Sequence, residues 1–145
     1  MNVYETMDFL KTGLETGIKV STDLLYGVNI LLDPYDPNLT KEVPFVLIEA
    51  DNTTFTNAML GQPTEQEHSL SFTCVVTAQN EKFISFKSDV NNLVKNTINK
   101  LITIKDDRIH RAMPTGLTHS EIILGSLKTS AVIISVKVKT YWEDQ

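Results

Sequence analysis

Three histidines, one cysteine and two small groups of carboxylates are the residues of this 145-residue chain whose types suit catalysis or metal binding. His68, His110 and His119 stand 42 and then nine positions apart, so no two fall at the HxxxH or HExxH spacing that sets paired imidazoles on one helix face for zinc. They read as surface or turn histidines. Cys74 sits in an alternating apolar run, where a thiol behaves as a small buried hydrophobe. A nucleophilic thiol needs an exposed, electropositive setting and a nearby base, and the flanking sequence offers neither. Asp106-Asp107 and the set Asp33, Asp36 and Glu49 lack the alternating register of acids, closed by a glutamate, that builds a calcium loop; they read as turn formers. There is no GxSxG, Walker loop or GxGxxG, and the six glycines are scattered. These residues predict no catalytic group, no cofactor and no metal ligand, so the chain is expected not to be an enzyme.

Contact with other macromolecules has better candidates. Lys105, Arg108, His110 and Arg111 are basic but interleaved with Asp106 and Asp107, with no aromatic platform for bases, which predicts a solvated loop or one that docks onto an acidic neighbour. A net charge of -5 with only two arginines argues against specific nucleic-acid binding. The charge is also uneven. Residues 1–67 hold 11 acids and three lysines, residues 68–145 seven acids and ten bases, so sums of -8 and +3 recover -5. This is either ordinary solvation of two halves or a subunit with unlike faces that attract head to tail. Phe55, Met59 and Leu60 fall in or beside a predicted hairpin loop without core periodicity; they either tuck under the domain or bury against another subunit. With Arg108, Arg111, Lys137 and Lys139 they form the candidate subunit or partner interface.

At 41% hydrophobic and 21% charged residues, residues 1–145 are expected to form a single domain, one that hides roughly 70% of its unfolded surface without disulfides or a structural metal. A lone thiol forms no internal disulfide and points to a reducing compartment. No targeting segment opens the chain, and no apolar run approaches the length of a membrane span, so a soluble protein is expected.

The elements follow from apolar periodicity. Val3, Met7, Leu10, Leu14 and Ile18 predict an N-terminal helix ending near Gly17. Residues 18–32 are ambiguous between a short helix from Asp23 and a strand over 28–32. The segment Asp33-Pro34-Tyr35-Asp36-Pro37-Asn38 reads as a loop, and residues 43–50 as a strand with Pro44 at its start. Asp51-Asn52 then makes a turn, residues 53–56 begin a return strand, and 58–67 form a loop. Leu70, Phe72, Cys74 and Val76 alternate against Ser69, Ser71 and Thr73 as a half-buried antiparallel strand. Phe83, Phe86, Val90, Leu93, Val94, Ile98 and Leu101 mark the strongest helix, capped by Asn80 or Ser85. Residues 103–118, with Pro114 and Gly116, read as an irregular polar stretch. A hairpin closes the chain: 121–124, a turn near Gly125-Ser126, and a strand over 131–142 with Val132, Ile134, Val136 and Val138 on one side. The sum is an α+β domain, an antiparallel sheet of about four or five strands with two helices packed on one face.

This order of elements, with the Pro-flanked strand Val43-Pro44-Phe45-Val46-Leu47-Ile48, the strand over 68–77, the long helix over 81–102 and the closing Val136-Lys137-Val138-Lys139-Thr140-Tyr141-Trp142, resembles the tail terminator or tail completion proteins of long-tailed bacteriophages. The likeness extends more loosely to the related tail-tube and neck subunits. It implies a structural virion protein in the tail or neck, assembled in the host cytoplasm. Such a protein forms a ring, usually a hexamer, caps the tail tube and offers the head a joining surface. Its implied partners are other copies of itself, the tail-tube protein and a neck or head-completion protein, with DNA passing through the ring unbound. Another neck or tube subunit, or a small protein-binding adaptor or ligand-binding domain, are the alternatives.

Overall fold

The computed structural model describes residues 1–16, 27–33, 44–56, 65–76, 83–124 and 127–142. Met7, Leu10 and Leu14, three and four apart, are fully buried and set the inward stripe of α1 (Val3–Thr16). Asn2 starts this helix: its Oδ1 accepts the Glu5 amide at 2.8 Å while Glu5 Oε1 accepts the Asn2 amide at 3.5 Å, a reciprocal capping box. Glycine inside a helix costs about 1 kcal/mol relative to alanine, and packing explains Gly13. A Cβ there would stand 2.6 Å from Ile104 Cδ1. In α2 (Phe83–Leu101), Val90, Leu93, Val94 and Leu101 are buried, and the buried Thr97 hydroxyl donates to the Leu93 carbonyl at 2.7 Å. Ser85 lies within this helix rather than capping it. Asn80, Ile18, Gly17 and Asp23 fall outside the described residues.

Five strands, β1 (Asn29–Leu32), β2 (Phe45–Phe55), β3 (Glu65–Val75), β4 (Ile109–Leu124) and β5 (Leu127–Tyr141), form one sheet in the order β1-β2-β3-β5-β4. The α+β class holds, but the sheet is mixed. β1 runs parallel to β2, because the 12 positions between Leu32 and Phe45 are enough to return the chain to its starting end. The other pairs are antiparallel.

Three further expectations are corrected. Asp51-Asn52 is not a turn: β2 runs through it to Phe55, absorbing an extra residue as a bulge between Ala50 and Asn52 while β3 stays paired alongside. Residues 65–67 belong to β3 and not to a loop. Residues 109–118 are strand, not irregular chain. β4 accepts Pro114 and Gly116 because it lies at the edge of the sheet, where a missing amide disturbs no ladder, and bulges fall at 109/111 and 114/116.

Val46, Ile48, Leu70, Phe72, Cys74, Val132, Ile134, Val136 and Val138 join the buried residues of α1 and α2 in one core cluster. The opposite, second face carries a smaller cluster, Leu31, Phe45, Leu47, Val75 and Ala131, with Ile122 against it. That cluster occupies one end only. Toward the other end the second face turns polar, with Glu49, Ser71, Ser135, Ser69, Lys137, Glu67, Lys139 and Arg111 following in register.

Candidate functional site

Residues in register across a sheet share a face, and the antiparallel pairings bring together basic residues far apart in sequence. Arg111 lies opposite Lys139, and Lys139 opposite Glu67, while Met113 lies opposite Lys137, and Lys137 opposite Ser69. Lys137 Nζ reaches Glu67 Oε1 at 3.6 Å, diagonally across the β3–β5 ladder. Like charges placed directly opposite disfavour a sheet by some tenths of a kcal/mol or more, so the Arg111–Lys139 pair concentrates positive charge at this margin against local stability. One row further, His110 stacks on Tyr141 with centroids 5.7 Å apart, and its Nδ1 lies 4.0 Å from Glu65 Oε1.

Charge is sorted by strand. β2 and β3 carry Glu49, Asp51, Glu65 and Glu67 and no lysine or arginine; β4 and β5 carry Arg111, Lys128, Lys137 and Lys139 against the single acid Glu121. The bulge turns Asp51 to the second face, where its Oδ2 accepts the Ser71 hydroxyl at 2.7 Å. Within the sheet, charge thus runs from acidic on β2 and β3 to basic on β4 and β5.

Of the expected interface residues, Arg111, Lys137 and Lys139 thus come together. Arg108 sits in the turn entering β4, forked onto Asp106 at 3.0 and 3.3 Å, and this hydrogen bonding holds the Asp106 carboxyl below its ordinary range. Phe55 stands apart on the core face, at the end of the sheet, 58% exposed and edge-on to Trp142 with centroids 5.5 Å apart. Met59 and Leu60 lie outside the described residues. Sequence reasoning missed Met113, Leu117 and Ile123, which β4 exposes at 37%, 50% and 69%. For Met113 and Leu117 the signal was present as large apolar residues within a polar stretch, and for Ile123 as the middle of the apolar run Ile122-Ile123-Leu124.

A buried polar cluster was also missed. His68 is no surface residue: it is fully enclosed, because it alternates in phase with Leu70 and Phe72. Its Nε2 donates to the Met1 carbonyl at 3.1 Å, and its Nδ1 shares a hydrogen bond of 2.8 Å with the Thr53 hydroxyl. Burial, above all, lowers its pKa from the usual 6.5; the nearby Met1 ammonium adds to this and the hydrogen bond to Met1 opposes it. The same carbonyl accepts Gln66 Nε2 at 2.6 Å and Thr140 Oγ1 at 3.0 Å. With three side chains from β3 and β5 bonded to one carbonyl, the cluster is a clamp on Met1. Cys74 is equally enclosed, its thiol pushed up to about 12 by burial, with a hydrogen bond to Thr97 opposing.

Among the described residues, no group of three or more His, Cys, Asp or Glu is placed to hold a metal ion, and no helix is long and apolar enough to cross a membrane. A cleft of about 240 Å3 beside α2 is lined by Val28, Pro44, Val76, Asp89 and Leu93, with one carboxylate among apolar walls. No protein-family profile matches the chain, and no curated protein matches it.

Proposed function

We propose that this chain is a structural protein of a long-tailed bacteriophage virion, a tail terminator whose copies close into a ring, a hexamer in the family it resembles. The ring caps the tail tube and meets a neck or head-completion protein, with both helices of each subunit on one face of its sheet. It is not an enzyme, needs no cofactor, and lets DNA pass without binding its sequence. It assembles in the host cytoplasm and ends in the tail or neck.

The observation that carries this reading is β4. It is a 16-residue strand paired on one side only among the described residues, and it displays Met113, Leu117 and Ile123 to solvent. Large apolar side chains exposed together on one strand mark a surface that meets another chain, so a strand of this kind fits a chain that works as an assembly.

The test is negative-stain electron microscopy with light scattering, on the protein alone and mixed with tail tubes. Rings seated at one tube end are expected. Incorporation along the tube favours a tube subunit, and a strict monomer that leaves tubes uncapped sinks the virion reading in favour of an adaptor or ligand-binding domain, for which the cleft at Asp89 is the place to screen.

A further inference from the structure

Among the described residues, the sheet has two margins without a neighbouring strand at the same height. β1 covers only Phe45, Val46, Leu47 and Ile48 of β2, so residues 49–55 form a margin with no neighbouring strand among the described residues. The registers carry this stretch straight across. Asn52 lines up with Ser69, Lys137 and Met113, and Thr54 with Glu67, Lys139 and Arg111, so the opposite margin at this height is residues 109–116 of β4. One margin bears Glu49 and Asp51 and the other His110 and Arg111, with Lys137 and Lys139 just behind. Asp51 and Arg111 lie on the same face, within three strand positions, or about 10 Å, of one height.

Resting on the ring reading, we infer that each copy sets the basic margin of β4 (residues 109–116) against the acidic margin of β2 (residues 49–55) of a second copy, side by side. Two features fix this arrangement. The opposite charges lie at opposite sides of one sheet rather than on its two faces, so complementarity is met by lateral neighbours turned about an axis along the strands. Such a contact is heterologous and repeats until the rotation closes a ring. In addition, Pro114 and the bulges at 109/111 and 114/116 interrupt the backbone donors and acceptors of β4 at this height. The junction there is therefore made by side chains and responds to salt. Further along, residues 117–124 of β4 are regular, and residues 117–120 stand level with the short β1 margin. Leu117 then extends the same junction with apolar contact.

Charge reversal tests the assignment. Arg111→Glu and Asp51→Lys each place like charges at every junction and are expected to raise the concentration for half-assembly by about tenfold or more. The double variant Arg111→Glu/Asp51→Lys restores assembly, and so does an equimolar mixture of the two single variants, in which the two kinds of subunit alternate. Both positions are exposed, and thermal melts of the monomers check that they fold. A second measurement leaves the charges intact: Asn52→Cys with Met113→Cys, treated with a bis-maleimide too short for the roughly 14 Å separating these positions across three strand spacings within one chain. A ladder of crosslinked multimers is expected, and the native Cys74 stays silent because it is buried. Single variants that assemble like wild type, or rings that yield no ladder, overturn this junction while leaving the ring intact. A wild-type chain that stays monomeric, alone and beside tail tubes, overturns the ring and the junction together.

Discussion

β3 and β4 each pair with β5, one on either side of it, yet they live under different constraints. β3 has strands on both edges and both faces largely covered, and even its polar Gln66, His68 and Thr73 are buried. β4 has one partner and is exposed along most of its length. A strand held on both edges must satisfy every backbone group and pack every second side chain, so its composition is fixed by the fold. A strand held on one edge is released from half of those demands and can carry proline, bulges, charge and exposed apolar residues in the service of a partner.

Truncation breaks the comparison most sharply. Phe72→Ala in β3 empties a fully buried site and should lower the unfolding free energy by about 3–5 kcal/mol, whereas Leu117→Ala in β4 should change it by less than about 0.5 kcal/mol. Urea titrations of the two variants measure the contrast. Next in size is the clamp. Thr140→Val removes one of three donors to the Met1 carbonyl and should cost about 1–2 kcal/mol.

The clamp also gives β3 a pH dependence. Because the folded pKa of His68 is lowered below 6.5, the unfolded chain binds the extra proton first; stability is therefore full above 6.5 and falls as pH drops below it toward the folded value. Melts between pH 7.5 and 5 should show this loss, and His68→Gln should flatten it. The smallest effect on stability belongs to Ile123→Lys: at 69% exposure the monomer should melt within about 0.5 kcal/mol of wild type, while assembly followed by light scattering weakens.

The same contrast explains what could be read from the sequence. Where burial imposes a period, the residues announce their element: Met7, Leu10 and Leu14 in α1, Val90, Leu93, Val94 and Leu101 in α2, and Val132, Ile134, Val136 and Val138 in β5 are all buried. β4 imposes no such period, so Pro114 and Gly116 looked like breaks in the chain, and Asp51-Asn52 like a turn. The parallel β1–β2 pair was illegible because four residues carry no direction. Arg111, Lys137 and Lys139 were identifiable by charge, but their convergence depended on β4 being a strand. Asp51 gained its place only through the bulge, and His68 was misjudged because its polar type outweighed its alternating position.

The strand order has a consequence in time as well as in space. β5 follows β4 in the chain yet lies between β3 and β4 in the sheet. Until it arrives, β3 lacks one of its two neighbours and β4 has none, so a growing chain presents the Phe72 strand with an open, sticky flank. The β3–β5 ladder joins Glu65 to Tyr141, and closing so long a span is slow. The β4–β5 hairpin is local and quick to close, while its pairing with β3 is the long-range step that completes the sheet.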